Sequence, residues 1–212
     1  MAAAAARAAG ASAFAYISAI GADSAADSGY ASTKGLGEQQ VLAAFPKATV
    51  LRPSVLFGEE DQFINLFAGL IQSLPVVPVF GSAAPLQPLW VDDAAAAVVN
   101  ALEDPANHGG KVYELAGPEV LTMGVLHERI AAAQCRERAL LAVPDALAGL
   151  FAALPGTPMN SDQWGLLKRG NVASGTLPGI AKLGVEPKPL GLFLDKWMTR
   201  YRKHGRFNVP TT

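Results

Sequence analysis

Apolar residues gather in short unbroken runs set apart by longer amphipathic stretches, and this alternation recurs over the first two thirds of the chain. Residues 14–20, FAYISAI, show no polar alternation, which is how a strand buried on both faces of a parallel sheet reads. Gly21 ends the run, and a loop of small polar residues leads to Tyr30. From there ASTKGLGEQQVLAAF places Leu36, Val41, Leu42 and Phe45 at helical spacing, and Pro46 closes the helix. Residues 48–51, ATVL, form a second strand, with Arg52, Pro53 and Ser54 marking its exit from the sheet. Strand, helix and strand make a βαβ unit with two parallel strands.

The pattern continues more loosely. DQFINLFAGLIQSLP is an amphipathic helix, and residues 75–91 read as an irregular or edge strand broken by prolines. Asp92 and Asp93 precede AAAAVVNALEDP, so one of them is expected to cap that helix. KVYEL is a further strand, and Thr122 caps the helix GVLHERIAAAQC. Beyond Arg138 the chain becomes apolar and proline-punctuated, then offers a helix near residues 162–169, a glycine-rich loop and a last helix at 190–202. The expected fold class is α/β, with a parallel-sheet domain at 1–138 and a helical lobe at 139–212. The opening run MAAAAARAAGASAF, with one arginine and no acid, has a faint transit-peptide look, but it reads better as a helix stopped by Gly10.

Composition narrows the function classes. With 17 basic and 18 acidic residues the net charge is -1, so no global field favours nucleic acid. One cysteine, Cys135, excludes an intrachain disulfide and fits a reducing compartment. No apolar stretch reaches the ~20 residues a membrane span needs. The most apolar segment, 139–154, is broken by Pro144 and Asp145 and is expected to be buried in its own lobe rather than against a membrane or another subunit. Arg200, Arg202, Lys203 and Arg206 form a basic end that suits anionic lipid, a partner subunit or plain solvent equally. His108, His127 and His204 are not spaced as metal ligands, and no metal is expected.

Chemistry concentrates at YASTK. A four-residue spacing puts Tyr30 and Lys34 on one helix face. A phenol ionises near ~10, so proton transfer at neutral pH requires a neighbouring cation to favour phenolate, and Lys34 is placed to supply it. The same ammonium can hydrogen-bond a nicotinamide ribose. The pair opens a helix between two buried strands, at the carboxyl ends where open α/β sheets bind ligands. Ser18, at the end of the preceding strand, is placed to orient a carbonyl beside the phenol, or else to bond backbone.

Together, the tyrosine-lysine pair, the strand-ending serine and the RP-containing loop resemble the extended and atypical short-chain dehydrogenase/reductases. The segments ISAIGADSAADSGYASTKGLGEQQVLAAFPKATVLRPSVLFGEEDQFINLFAGL, QPLWVDDAAAAVVNALEDP, KVYELAGPEVLTM and LGVEPKPL further resemble the complex I alpha-subcomplex subunit 9 family and its bacterial relatives, across nearly the whole chain. The resemblance implies the C-terminal half of an NAD(P)-binding Rossmann-like parallel sheet with NADPH as cofactor. It also implies a non-catalytic accessory or assembly role in respiratory complex I beside subunits near the quinone-binding region. The matrix side of the mitochondrial inner membrane, or the cytoplasmic side of a bacterial one, is the implied location, with peripheral membrane contact. Tyr30, Lys34, Pro53, Ser54 and Val55 become cofactor contacts, and Asp93 a helix cap.

Two other readings stay open. One is an NAD(P)-dependent reductase, epimerase or dehydratase using Tyr30 as acid/base with Lys34 and Ser18. The other is a nucleotide-binding redox sensor. The sequence lacks the family's glycine-rich pyrophosphate turn, so either the chain is a fragment or a separate chain supplies the missing strands.

Overall fold

The computed structural model describes residues 2–156 and 159–207, apart from the side chain of Arg206. That side chain, Met1, Thr157 and Pro158, which belong to segments singled out above, lie outside the described residues. The chain divides into two units whose pieces alternate in sequence, so no single boundary near residue 138 separates them.

The first unit comprises Met1–Leu56, Gln87–Pro118 and Asn171–Lys188. Its expected buried runs form a parallel sheet in the order Ala15–Ile17, Thr49–Pro53, Val112–Leu115. Val50 and Leu51 in the central strand are completely buried, which explains the absence of polar alternation there. The first strand proper is shorter than the seven-residue run. Its ladder nevertheless spans that run, because Thr49 donates to the Phe14 carbonyl while Ser18 and Ile20 donate to Leu51 and Pro53. The central strand does not leave at Arg52: Pro53 pairs with Leu115, and the Ser54 amide donates to Leu115 at 2.8 Å. Pro53 falls where the alternation calls for a donor toward the first strand, so its missing N–H ends that half of the ladder.

The helix Gly29–Ala44 starts where Ser28 Oγ accepts from the Ala31 amide at 3.2 Å. Gly35 is required on it, since an added Cβ would sit 2.2 Å from the Ser24 nitrogen and 2.5 Å from the Asp23 carbonyl carbon. Leu51, Leu89, Ala97, Tyr113, Leu115, Ile180 and Leu183 fill the core on the side of the helix Val91–Glu103. On the other side Ala3 packs with Phe45 and Ala48, so the alanine-rich opening run is a helix, Ala2–Ala8, with Gly10 beyond it at φ +75°. The expected aspartate cap is corrected. The Val91–Glu103 helix begins one residue before Asp92, with Trp90 at its N-cap and no side-chain cap bond. Asp93, 3% exposed, accepts instead from the Lys188 amide at 2.7 Å and its ammonium at 2.9 Å.

The second unit comprises Phe57–Leu86, Glu119–Gly170 and Pro189–Thr212. Val76–Phe80 pairs in parallel with Ala139–Val143, with Pro78 opposite Leu141. A two-stranded sheet leaves each strand one free edge, which is where a strand tolerates proline. Residues 139–143 are therefore a strand, so the chain beyond Arg138 is not purely helical. The next helix, Asp145–Ala153, buries Ala148 and Ala152 against Trp164, while Leu147 and Leu150 are 58% and 61% exposed. Burial of the 139–154 segment thus holds for one face only. Thr122 caps Met123–Ala133 through the Val125 amide, and Asn160 with Gln163 forms a capping box on Ser161–Arg169. Cys135 closes the Met123–Ala133 helix in the left-handed region, φ 53°, a place usually held by glycine.

Two substitutions check this account by urea denaturation. Gly35→Ala is expected to lower stability by roughly 1–3 kcal/mol, because backbone must move. Cys135→Gly is expected to raise it by about 0.5–1 kcal/mol, the left-handed strain relieved less the added freedom of the unfolded chain.

Candidate nucleotide-binding site

Parallel pairing sends the chain out of Ala15–Ile17 and Thr49–Pro53 at the same end of the sheet, and the predicted site residues stand there. Ser18, one residue past the first strand, gives its amide to Leu51, and its buried Oγ has no hydrogen-bond partner among the described residues. Tyr30 lies in the first turn of Gly29–Ala44 and is 49% exposed. Lys34, one turn on, holds its ammonium 5.8 Å from the Tyr30 ring centroid and donates to the Ile17 carbonyl at 3.2 Å.

The electrostatics differ from expectation. Burial pushes the Tyr30 phenol above its ordinary value, and the neighbouring Tyr16 phenol pushes it further. The expected lowering by Lys34 is not met, because the cation is directed at a backbone carbonyl and a partly dehydrated phenol keeps its proton.

A further turn along the helix, Glu38 makes a two-point ion pair with Arg52, at 2.8 Å to Nε and 2.7 Å to a terminal nitrogen. Arg52 sits beside Glu114 in the sheet register. The Glu38 bond raises the guanidinium's pKa first, burial opposes it, and Glu38, Glu114 and Asp23 add their charge. Glu114, buried, accepts from the amide and hydroxyl of Ser174 at 2.6 and 2.8 Å. Sequence reasoning passed over Glu38, although Tyr30, Lys34 and Glu38 form an i, i+4, i+8 series on one helix face.

The loop of Pro53, Ser54 and Val55 is held from two sides. Ser54 Oγ donates to the Gln87 carbonyl at 2.6 Å, the Val55 amide donates to Asn171 Oδ1 at 2.5 Å, and Val55 accepts from the Leu89 amide at 3.0 Å. Gln87 is fixed in turn by the Gly117 carbonyl and the Ala173 amide. Gln87 and Asn171 come from segments 33 and 116 residues away, and no spacing rule links them to the loop.

The remaining candidates are structural. His127 is buried against Phe67 with Nδ1 2.7 Å from the Met123 carbonyl, and burial pushes its imidazole below the usual range. His108 Nδ1 lies 2.8 Å from the Tyr113 hydroxyl. Among the described residues no group of three or more His, Cys, Asp or Glu side chains is placed to hold a metal ion. Two residues of the basic end are tied down: Arg200 bonds the Glu59 carbonyl and Asn65, and Arg202 bonds the Ala133 carbonyl at 2.8 Å. No helix among the described residues is long and apolar enough to cross a membrane.

Comparison with known proteins places these features. A family model described as the RmlD substrate binding domain matches residues 22–148. NADH dehydrogenase (ubiquinone) 1 alpha subcomplex subunit 9, mitochondrial, of Mus musculus is 31% identical over 203 residues, covering 92% of this chain and 53% of that protein. A protein named ceramide reductase from Caulobacter vibrioides is 40% identical over 99 residues, 46% of this chain and 31% of that protein. The chain thus spans about half, or less, of the length of these curated relatives. Among solved structures, RMD from Pseudomonas aeruginosa, complexed with NADPH, superposes with a TM-score of 0.62 at 16% identity, over 90% of this chain and 67% of that one. The likeness is one of fold, a Rossmann-like α/β sheet of the nucleotide-binding kind.

Arg52→Met leaves the Glu38 carboxylate unpaired and is expected to cost roughly 3 kcal/mol in urea denaturation, while Arg52→Met with Glu38→Leu recovers most of it. In a spectrophotometric tyrosine titration, Tyr30→Phe is expected to remove a phenol that ionises above 10, the direction that burial and Tyr16 dictate.

Proposed function

The chain belongs to the RmlD substrate binding domain family and is homologous over 92% of its length to an alpha subcomplex subunit 9 of NADH dehydrogenase, and from that premise we propose that it is a non-catalytic accessory component of respiratory complex I. In this reading it binds NADPH at the rim of its parallel sheet and sits against other complex I subunits near the quinone-binding region. It works at the matrix face of the mitochondrial inner membrane or the cytoplasmic face of a bacterial one, and a further polypeptide segment completes the sheet and supplies the pyrophosphate turn. The name of the mouse relative supports the assembly.

One observation carries the non-catalytic part: the Lys34 ammonium is engaged by the Ile17 carbonyl, and burial, not the cation, sets the upward direction of the Tyr30 phenol. A general acid/base working near neutral pH needs the opposite shift. Tyr30 and Lys34 then serve as contacts to the nicotinamide ribose, with Pro53, Ser54 and Val55 as the wall beside the ring.

A second reading has its own support. The buried Ser18 Oγ is without a partner among the described residues, as a group reserved for a substrate carbonyl would be, and a 40% identical relative is named a reductase. In that reading Tyr30 is the acid/base, Lys34 assists it and Ser18 polarises a carbonyl that accepts hydride from NADPH.

Purification of the tagged full chain from its own cells separates the two. Recovery with large NADH dehydrogenase subunits, and a Tyr30→Phe variant that only weakens NADPH binding, is the expected result. A lone protein that oxidises NADPH with a carbonyl substrate, and loses that turnover in Tyr30→Phe, would establish the second reading.

A further inference from the structure

The end of the first unit opposite the nucleotide rim carries a basic cleft. The helix Gly29–Ala44 starts at the rim, so its last residue and the turn into Thr49–Pro53 lie at the far end of the sheet. There an open cleft of about 400 Å³ is lined by Arg7, Ala11, Ser12, Phe45, Pro46 and Lys47. Backbone bonds set its walls. Gly10 turns the chain past Ala2–Ala8 and the Ala11 amide donates to the Ala6 carbonyl at 3.0 Å, which brings Ala11 and Ser12 back beside the helix end. Phe45, buried and packed against the Phe14 ring, makes an apolar floor. The Ala48 amide donates to the Phe45 carbonyl at 2.8 Å and closes the turn that carries Pro46 and Lys47.

Two cations line this cleft and no Asp or Glu does. Neither Arg7 nor Lys47 is paired with an acid among the described residues. Arg7 donates through one terminal nitrogen to the Ala44 carbonyl at 3.2 Å, which ties it to the last turn of Gly29–Ala44 and leaves the rest of its fork for a ligand. A cation at a helix C-terminus is favourable in itself, and that accounts for the Arg7 bond. It does not account for a second unpaired cation and a hydroxyl around the same apolar floor. We propose that the cleft docks an acidic segment of a partner polypeptide, with a carboxylate on Arg7 and Lys47 and an adjoining apolar side chain over Phe45 and Pro46. A guanidinium already anchored on one side loses less freedom on binding, and its planar fork meets a carboxylate at two points. Other anions fit less well. Nucleic acid needs a broad basic field, which a net charge of -1 does not supply. An anionic bilayer is held by clusters of roughly 4–8 cations, and two in a concave site are too few. Arg7, Ala11 and Ser12 precede residue 22, where the family match begins, and the docking site does not draw on the nucleotide-binding reading.

The test titrates the isotope-labelled full chain with the acetylated, amidated peptide Glu-Leu-Glu-Phe-Glu and follows backbone amides by NMR. Binding with a Kd on the order of 1 mM or tighter is expected, with the shifts concentrated at residues 7–12 and 45–47. Affinity should fall about fivefold between about 50 and 300 mM salt, as contacts between exposed charges do. The matched peptide Gln-Leu-Gln-Phe-Gln should bind about tenfold more weakly. Arg7→Gln should weaken the acidic peptide about tenfold and Lys47→Gln about threefold. The Lys47 side chain makes no hydrogen bond or ion pair among the described residues, so Lys47→Gln decides the matter if Arg7→Gln loosens the helix. An unchanged affinity in Lys47→Gln, equal binding of the two peptides, or shifts that fall elsewhere in the chain overturns the proposal. Free glutamate binding as tightly as the peptide overturns the choice of a polypeptide. Vesicles containing phosphatidylserine that move these amides where the peptide does not would make the cleft a lipid site instead.

Discussion

Parallel pairing of Ala15–Ile17 with Thr49–Pro53 is the constraint on which everything at the site depends. Two strands running the same way bring their carboxyl ends to one rim, and the intervening helix must start at that rim to return the chain to the other end. Ser28 fixes the start with its cap, which places Tyr30 in the first turn and Lys34 in the second. Gly35 then lets the loop at Asp23 and Ser24 lie against the helix, where any side chain would push it off. A change in the register of this one ladder would move Ser18, Tyr30 and the Ser54 loop together.

Charge at the rim is arranged by the same geometry. Three ionisable side chains rise along one face of the Gly29–Ala44 helix, and each is disposed of differently. Tyr30 is half exposed and burial raises its phenol further, Lys34 is satisfied by a strand carbonyl, and Glu38, the most buried, is neutralised by Arg52. Desolvation sets that order: the deepest charge requires an opposite charge in two-point contact, and the more exposed groups do not. Arg52 can serve Glu38 because it lies in the central strand, within the field of Glu114 as well.

Local signals made much of this legible before any coordinates. The unbroken runs gave the parallel strands, the Tyr30 and Lys34 spacing gave the shared face, and Thr122 and Gly10 stood where a cap and a stop belong. The hidden part was non-local. Asp93 looked like a cap because aspartate before an alanine-rich helix normally is one, but its partner, Lys188, comes from 95 residues away. Gln87 and Asn171 grip the Ser54 loop by the same kind of long-range bond. The strand Ala139–Val143 was placed in a helical lobe because nothing local marks its pairing with Val76–Phe80, a strand from a distant segment.

The candidate site and the exposed leucines fall in different units. Ser18, Tyr30, Lys34, Glu38, Arg52 and the Ser54 loop all belong to the first unit, and the bonds described for them are made within it. The second unit has its own core around Ala148, Ala152 and Trp164, and shows a leucine ridge at Leu147 and Leu150. Exposing two large apolar side chains on consecutive turns is unfavourable in water unless something covers them, and a surface helix with apolar residues on both faces is usual where a second surface is met. A substitution on that ridge touches none of the bonds that set the Tyr30 rim.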